Sequence, residues 1–386
     1  MATIQEVEER YSTGVYNKRE VTIVRGQGTR LWDEQGKEYL DCATGMGVAS
    51  VGHANPQVAE AIATQARTLI TCPELFYNDR RAELLKRLAA VTPPGLERIF
   101  LCNSGTEAIE GAFKFARMST GKPNIIATMR GFHGRTLGAL AATWDPKYRE
   151  HFAPLPAGFR HVAYDKLDVL EEALDDETAA VVLEVIQGEG GVRPASAGYL
   201  QGVQALCRQR DVLLIVDEVQ TGFGRTGKFF ACEHYGLQPD ILTMAKAMAG
   251  GLPMGAFAIG ERVRTIHKGT HSSTFGGNPL ACATALAVLD ILQSQHLPQH
   301  AAAVGAYFLE QLHAIESAKI REVRGLGLMV GVELKEKVAP YLRALMERGV
   351  IALAAGTTVL RFLPPLIISR EEIDAVVTQL REVLTV

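Results

Sequence analysis

Val212-Leu-Leu-Ile-Val-Asp217-Glu218 is a continuous apolar run that stops abruptly at two carboxylates. Apolar residues at every position, rather than at alternate ones, mark a strand buried on both faces, as in a parallel sheet between helical layers. Its acids then lie at the strand's carboxyl end. A second run follows in Asp240-Ile-Leu-Thr-Met-Ala-Lys246-Ala-Met-Ala-Gly-Gly251, with a lysine just past the apolar stretch and just before a flexible Gly-Gly pair. Arg98-Ile-Phe-Leu101, Asn124-Ile-Ile-Ala-Thr128 and Ala180-Val-Val-Leu183 are similar runs, each ending in polar or glycine-rich sequence. With helical periodicities between them from His53 to about Phe275, they predict an α/β layer whose central sheet is mostly parallel. Ligands of open α/β sheets bind outside the carboxyl ends of strands, so these endings should converge in space.

Outward from this layer the grammar changes. Residues 1–52 carry hairpin signals, with Val21-Thr-Ile-Val24, Arg25-Gly-Gln-Gly28 and Arg30-Leu-Trp-Asp-Glu-Gln-Gly36 in succession. Beyond Asn278-Pro279 the chain reads as helical. Two strand-rich stretches, Lys319 to Leu334 and Val350 to Ile368, then flank a helix. A last helix opens on the capping box Ser369-Arg-Glu-Glu372, with Ile373, Val376, Val377, Leu380 and Leu384 as its apolar stripe. The expected division is a large domain at 53–277 and a smaller α+β domain from 278–386, joined by the N-terminal segment 1–52.

The 386 residues are 47% hydrophobic and 22% charged, enough for a large core. A formal charge of −3, from 40 basic and 43 acidic residues, favours neither nucleic acid nor an acidic membrane surface. Six scattered cysteines without a close pair point to reduced thiols, and hence to the cytosol. The first ten residues lack the basic start and apolar core of an export signal, and no later stretch is long and uncharged enough to span a bilayer. The histidines form no metal-ligand spacing, so no metal is expected.

Four strand endings carry candidate chemistry. Asn103-Ser104-Gly105-Thr106-Glu107 follows one strand and opens a helix, giving free backbone amides, two hydroxyls and a positive dipole end that suit a phosphate; an ordinary N-cap is the plain alternative. Asp217 is costly as an isolated buried charge and needs a cationic partner or several donors. In Gly131-Phe132-His133-Gly134-Arg135-Thr136, Phe132 can cover an aromatic cofactor and Arg135 can grip a carboxylate, whereas a glycine-permitted turn with a solvated arginine explains the same letters. His133 reads as structural, as does His53 beside the helix entry Asn55-Pro56. Arg361, alone in an apolar stretch, needs an acidic partner from the protein or a substrate, and Glu189 in Gln187-Gly-Glu-Gly-Gly191 is a candidate. Gly222-Phe-Gly-Arg-Thr-Gly227 matches a dinucleotide fingerprint in spelling, but it does not directly follow a strand or open a clear helix, so it reads as a structural loop. An anion site, a carboxylate partner for a pyridinium and a lysine amine together fit pyridoxal phosphate.

At this point the sequence resembles the class III pyridoxal-phosphate aminotransferases of fold type I, and within them the acetylornithine aminotransferase family. The resemblance runs through Ser104-Gly-Thr-Glu-Ala, Gly131-Phe-His-Gly-Arg-Thr, Gln187-Gly-Glu-Gly-Gly, Asp217-Glu-Val-Gln-Thr-Gly-Phe-Gly-Arg-Thr-Gly227, Ala245-Lys246-Ala and Ser273-Thr274-Phe-Gly-Gly-Asn-Pro, in the family's order. It implies that Ser104, Gly105 and Thr106 hold the phosphate, that Phe132 packs on the ring and that Asp217 pairs with its nitrogen. Gln220 would approach the ring hydroxyl, and Lys246 would bond the cofactor covalently. The resemblance further implies a homodimer with shared active sites, in which Thr274 reaches the phosphate held by the partner. Arg135 and Ser273 are implied as substrate contacts. Arg361 would receive the α-carboxylate of glutamate, while Glu189 masks it for the amine donor.

Ser12-Thr-Gly-Val-Tyr-Asn-Lys18, Thr143-Trp-Asp-Pro-Lys-Tyr-Arg149 and Leu334-Lys-Glu-Lys-Val-Ala-Pro-Tyr341 are similar to bacterial enzymes that serve lysine synthesis through an amino-group carrier protein. The implied reaction moves a terminal amino group from acetylornithine or carrier-linked lysine to 2-oxoglutarate, giving glutamate. Ornithine and 4-aminobutyrate are alternative donors; from other classes, a nicotinamide-dependent oxidoreductase and an inactive cofactor binder are alternatives. For a carrier-borne donor, Lys18, Arg80, Arg81 and Lys268 are candidates for a basic rim, each with a plain reading as solvated charge. Val185, Ser272 and Cys72-Pro-Glu74 depart from the family pattern, and the last bears on side-chain specificity.

Overall fold

The computed structural model describes residues 2–385, so the outermost residue of each terminal segment lies outside the described residues. Its centre is a seven-stranded sheet: β1 (Arg98–Cys102), β2 (Asn124–Thr128), β3 (Phe159–Val162), β4 (Thr178–Glu184), β5 (Leu213–Asp217), β6 (Ile241–Met244) and β7 (Gly255–Ile259). The spatial order is β1-β7-β6-β5-β4-β2-β3, with β7 antiparallel to both neighbours. Every residue of β4, β5 and β6 is buried, which follows from their unbroken apolar runs and from cover on both faces. Register aligns Asp217 with Glu184 on one side and Thr243 on the other, so the polar endings of β4, β5 and β6 stand in a row.

The five apolar runs are all strands, and the sheet is α/β and mostly parallel as expected. Two strands lacked a signal. In β3, Arg160 and His161 interrupt the apolar pattern because this is an edge strand. In β7 the start is Gly255, where a Cβ would lie 2.4 Å from the carbonyl oxygen of Ser104. That glycine is a strand position left without a side chain so that the neighbouring loop can cross it.

The chain ends meet. Strands Ile23–Gln27, Arg30–Asp33 and Glu38–Asp41 form a sheet extended by Val350–Ile351, with Val350 paired to Leu40. Strands Ile320–Leu326, Met329–Leu334, Val359–Phe362 and Leu353–Ala355 make a second C-terminal sheet, backed by helix Leu297–His313, on which helix Arg370–Thr385 packs in turn. The Ser369–Glu372 capping box closes reciprocally, at 3.1 and 3.2 Å, and all five stripe residues are buried. Helix Pro279–Ser294 packs on helices Pro56–Thr68 and Asp79–Val91 and under the turn that holds Lys246. No single helix among the described residues is long and apolar enough to cross a membrane.

The turn at 222–227 is packed, not open for a nucleotide. Gly224 and Gly227 have φ of +93° and +100°, and a Cβ on Gly227 would lie 2.8 Å from Ala302. Arg225 is 1% exposed and donates to the carbonyls of Leu328 and Pro364 and to Ser50 Oγ, fastening this turn to both chain ends. At its start Glu218 is buried and accepts from Thr221 Oγ1, from Ala231 N at 3.0 Å and from Cys232 N at 2.7 Å.

Burial pushes the Glu218 carboxyl up to about 7, from an ordinary 4.5. The folded protein then keeps a proton that the unfolded chain releases between those values. This contribution to stability is fully present below pH 4.5 and is lost as pH rises through 7. Relative to the parent, Glu218→Gln should therefore flatten the fall in stability between pH 5 and pH 8, by roughly 1–3 kcal/mol, in urea-denaturation midpoints at the two pH values.

Candidate active site

The loop after β1 is shaped by glycine and by capping. Ser104 is extended and its Oγ accepts from Glu107 N at 3.3 Å, opening helix Gly105–Thr120. The Gly105 and Thr106 amides stand at the helix start, where no earlier helical carbonyl can receive them. A Cβ on Gly105 would lie 2.7 Å from Val219 Cγ1, and one on Gly134 would lie 2.3 Å from Thr106 Oγ1, so bare backbone lines a small cradle. Glu107 steadies its entry by accepting from Asn103 N at 2.6 Å.

Next to the cradle, Asp217 ends β5 almost fully buried. Its Oδ1 accepts from Val219 N at 3.0 Å and Thr243 Oγ1 at 3.2 Å, and its Oδ2 lies 2.7 Å from His133 Nδ1. Burial alone would lower the His133 pKa, but the hydrogen bond and charge of Asp217 raise it above the ordinary value. The opposite ring nitrogen, Nε2, is buried with no hydrogen-bond partner among the described residues. The ring of Phe132 lies edge-on to Tyr148 at 5.5 Å, and the exposed Arg135 stacks 4.0 Å above the same tyrosine. Glu184 joins two loops: its Oε1 accepts from Phe132 N and its Oε2 from Gly188 N, each at 3.0 Å.

Lys246 begins a tight turn directly after β6 and adopts φ +40°, a left-handed conformation uncommon outside glycine. Such strain costs of order 1–3 kcal/mol and is held here by the packed turn around it, with Met248 N bonded to Ala245 O at 2.9 Å. Burial lowers the pKa of its ammonium, opposed by the nearby Glu189 carboxylate. The amine is thereby brought closer to the neutral form that a nucleophile or base requires.

Arg361 sits mid-strand, 1% exposed, and donates from Nη1 to Glu189 Oε1 at 2.6 Å and to Gln220 Oε1 at 3.1 Å. Burial would raise the Glu189 pKa, but Arg361 holds it below the ordinary carboxylate value. Gly188 makes room for this cluster, since a Cβ there would lie 2.1 Å from Gln220 Oε1.

These groups surround one cavity of about 420 Å³. It brings together Ser104, Gly105 and Thr106 with Phe132, Arg135 and Glu189, and with Asp217, Gln220 and Lys246; Arg361 stands behind Glu189. Ser273 and Thr274 are not in this wall. Ser273 Oγ accepts from Asn103 Nδ2 at 3.2 Å, and Thr274 is exposed. His133 and Glu184 were not singled out for the site by sequence, and their signal is weak: each becomes informative only beside Asp217 or the two loop amides. Among the basic rim candidates, Arg81 is buried and bonded to the carbonyls of Gly277 and Phe76, Lys18 pairs with Glu8 and Glu9, and Arg80 pairs with Asp79. Lys268 is exposed.

A bare-backbone cradle at a helix start, a buried carboxylate, an aromatic face and a desolvated amine complement the phosphate, ring nitrogen, ring face and aldehyde of pyridoxal phosphate. The family model for class III aminotransferases matches residues 11–384. The chain is 52% identical to a [LysW]-aminoadipate semialdehyde transaminase of Deinococcus radiodurans, over 98% of this chain and 89% of that protein. It is 47% identical to an acetylornithine aminotransferase of Methanothermobacter thermautotrophicus, over 99% and 98%. A solved ornithine aminotransferase of Toxoplasma gondii, with partial occupancy of PLP at its active site, superposes with a TM-score of 0.94 at 35% identity, over 98% of this chain and 92% of that one.

Gly105→Ala should weaken pyridoxal-phosphate binding about tenfold or more, some 1.4 kcal/mol, because the new methyl displaces Val219 against the cradle. A spectroscopic titration of apoprotein reads this directly. Unchanged affinity would put the phosphate elsewhere.

Proposed function

The chain belongs to the class III aminotransferases, which use pyridoxal phosphate, and we propose that it moves the terminal amino group of N-acetylornithine, of a carrier-linked lysine, or of both, to 2-oxoglutarate. The likeness to relatives named for each reaction supports these donors. The observation that carries the reading is the Glu189–Arg361 pair, 2.6 Å long, beside the amine of Lys246. A guanidinium covered by a removable carboxylate suits an enzyme that must take a terminal amine in one half-reaction and an α-carboxylate in the other. With Glu189 in place Arg361 presents no bare positive charge to the donor. With Glu189 displaced, Arg361 receives the α-carboxylate of glutamate or 2-oxoglutarate through charge-assisted hydrogen bonds worth roughly 1.5–3 kcal/mol each.

When bound, the cofactor supplies an aldehyde for the amine and a pyridine ring that accepts the electrons released at the substrate carbon. The amides of Gly105 and Thr106 and the Ser104 hydroxyl hold its phosphate. Asp217 would keep a proton on the ring nitrogen, its carboxylate oriented by the hydrogen bond between His133 Nδ1 and its Oδ2. Phe132 covers one ring face, and Gln220 approaches the ring hydroxyl. Lys246 Nζ would hold the cofactor through its aldehyde and, as a free amine, would move the proton at the substrate carbon as general base and then acid. Arg135 would contact the substrate from the cavity wall, and Ser273, which lies outside that wall, would do so across the dimer contact.

The active unit in this proposal is a homodimer in the cytosol, with Thr274 completing the phosphate site of the partner. The exposed apolar residues Leu75, Phe76 and Tyr77, and Phe275 next to Thr274, lie on segments that Arg81 ties together and support such a contact, and the six unpaired cysteines support a reducing compartment. Segments 1–52 and 278–386 act as the small domain over the large domain 53–277.

Borohydride treatment of the holoenzyme should fix the cofactor on Lys246, and Lys246→Ala should lower glutamate formation at least a hundredfold. No adduct at Lys246 would end the cofactor assignment. Initial rates with acetylornithine, carrier-linked lysine, ornithine and 4-aminobutyrate then rank the donors, and a clear preference for either of the last two would overturn the substrate reading.

A further inference from the structure

The loop that carries Glu189 is held at both ends. Upstream, Gly188 N donates to Glu184 at 3.0 Å. Downstream, three consecutive carbonyls face guanidinium groups. Arg193 Nε donates to Gly190 O at 3.2 Å. Arg324 Nη2 donates to Gly191 O at 2.6 Å, and its Nε to Val192 O at 2.9 Å. Arg324 Nη1 also reaches Glu333 Oε2 at 2.7 Å and the exposed Glu322 at 2.5 Å. Glu333 is buried and further paired with Arg193 at 3.0 Å and Arg321 at 3.2 Å, so a single carboxylate anchors the arginines that grip the loop.

The same anchor is tied to Arg361. Glu333 lies on strand Met329–Leu334, whose neighbour Val359–Phe362 carries Arg361; Gly331 pairs with Arg361 and Glu333 with Val359. Arg361 is thus fixed to this strand pair through the backbone, and Glu189 through Arg324. The held segment is also strained at Val192, a β-branched residue with φ +50°. A backbone that is strained while gripped tends to move when the grip is removed.

We propose that Arg324 and Glu333 form a positioning clamp that sets how readily Glu189 leaves Arg361, and so how the enzyme divides its site between terminal-amine donors and α-carboxylate substrates. The clamp rests on the reading of Glu189 as a cover for Arg361. Neither Arg324 nor Glu333 lines the cavity, and no step of the proposed transfer passes through the clamp. Its effect is on the closed-to-open balance of the loop.

The test compares Arg324→Met, Arg324→Lys and Glu333→Gln with the parent holoenzyme, with Glu189→Ala alongside. Loosening the clamp should tighten binding of glutarate, an unreactive dicarboxylate, and lower the KM for 2-oxoglutarate, each about 2- to 30-fold, with kcat changed much less. Hydrogen exchange at Gly190–Val192 should rise in parallel. Arg324→Lys keeps a charge for Glu333 but cannot span both carbonyls, so it should fall between parent and Arg324→Met. Lower stability in Arg324→Met with glutarate affinity unchanged would overturn the clamp, and the two milder substitutions decide the question should that variant not fold. If Glu189→Ala itself leaves glutarate binding unchanged, the cover reading fails; if it shifts binding while none of the clamp variants does, only the clamp fails.

Discussion

One buried carboxylate organises the site. Asp217 accepts hydrogen bonds from Val219, Thr243 and His133, which belong respectively to its own loop, the adjacent strand and a loop 84 positions earlier. An unpartnered carboxylate in this sheet would be strongly destabilising, so the donors must be in place for the strand ending to be buried at all. That requirement draws the Gly131–Arg135 loop against the sheet, and with it Phe132 and the glycine beside Thr106. The placement of Phe132 and of the bare-backbone cradle at Gly105 is therefore a consequence of satisfying one acid.

The second constraint is charge balance behind the cavity. Arg361 is buried, and its nearest acid, Glu189, belongs to a loop of glycines rather than to a rigid element. Under the proposed function this pair opens by movement of the loop, with Arg361 fixed on its strand. Lys246 shares the same field: burial pushes its pKa down and Glu189 pushes it up, so the state of the pair also bears on the protonation of the amine. Glu184 and Arg324 hold the two ends of the loop, which links its motion to Phe132 on one side and to the C-terminal sheet on the other.

Much of the central sheet was legible because burial on both faces demands unbroken apolar runs, and Asp217 and Lys246 stand out as charges at the ends of such runs. The edge strand Phe159–Val162 was not, since an edge tolerates Arg160, and Gly255–Ile259 was hidden by a glycine whose reason is the approach of Ser104. His133 was read as structural. It is buried and fixed by a hydrogen bond, but that bond reaches the acid of the site. Arg81, considered for a basic rim, is consumed by backbone carbonyls, a use that nothing in its local sequence announces.

The amino-acid sequence by itself determined the layer type, the strand endings that bear chemistry and, through its ordered motifs, the family. Those follow from local periodicity and residue type, which neighbouring positions along the chain express directly. Tertiary structure alone decided which distant residues became partners: His133 with Asp217, Glu189 with Arg361, and Arg324 with Gly191 and Glu333. Each of those pairings is set by sheet register and loop crossing, and by the need to satisfy every buried polar group at once, which is a property of the packed chain and not of any segment.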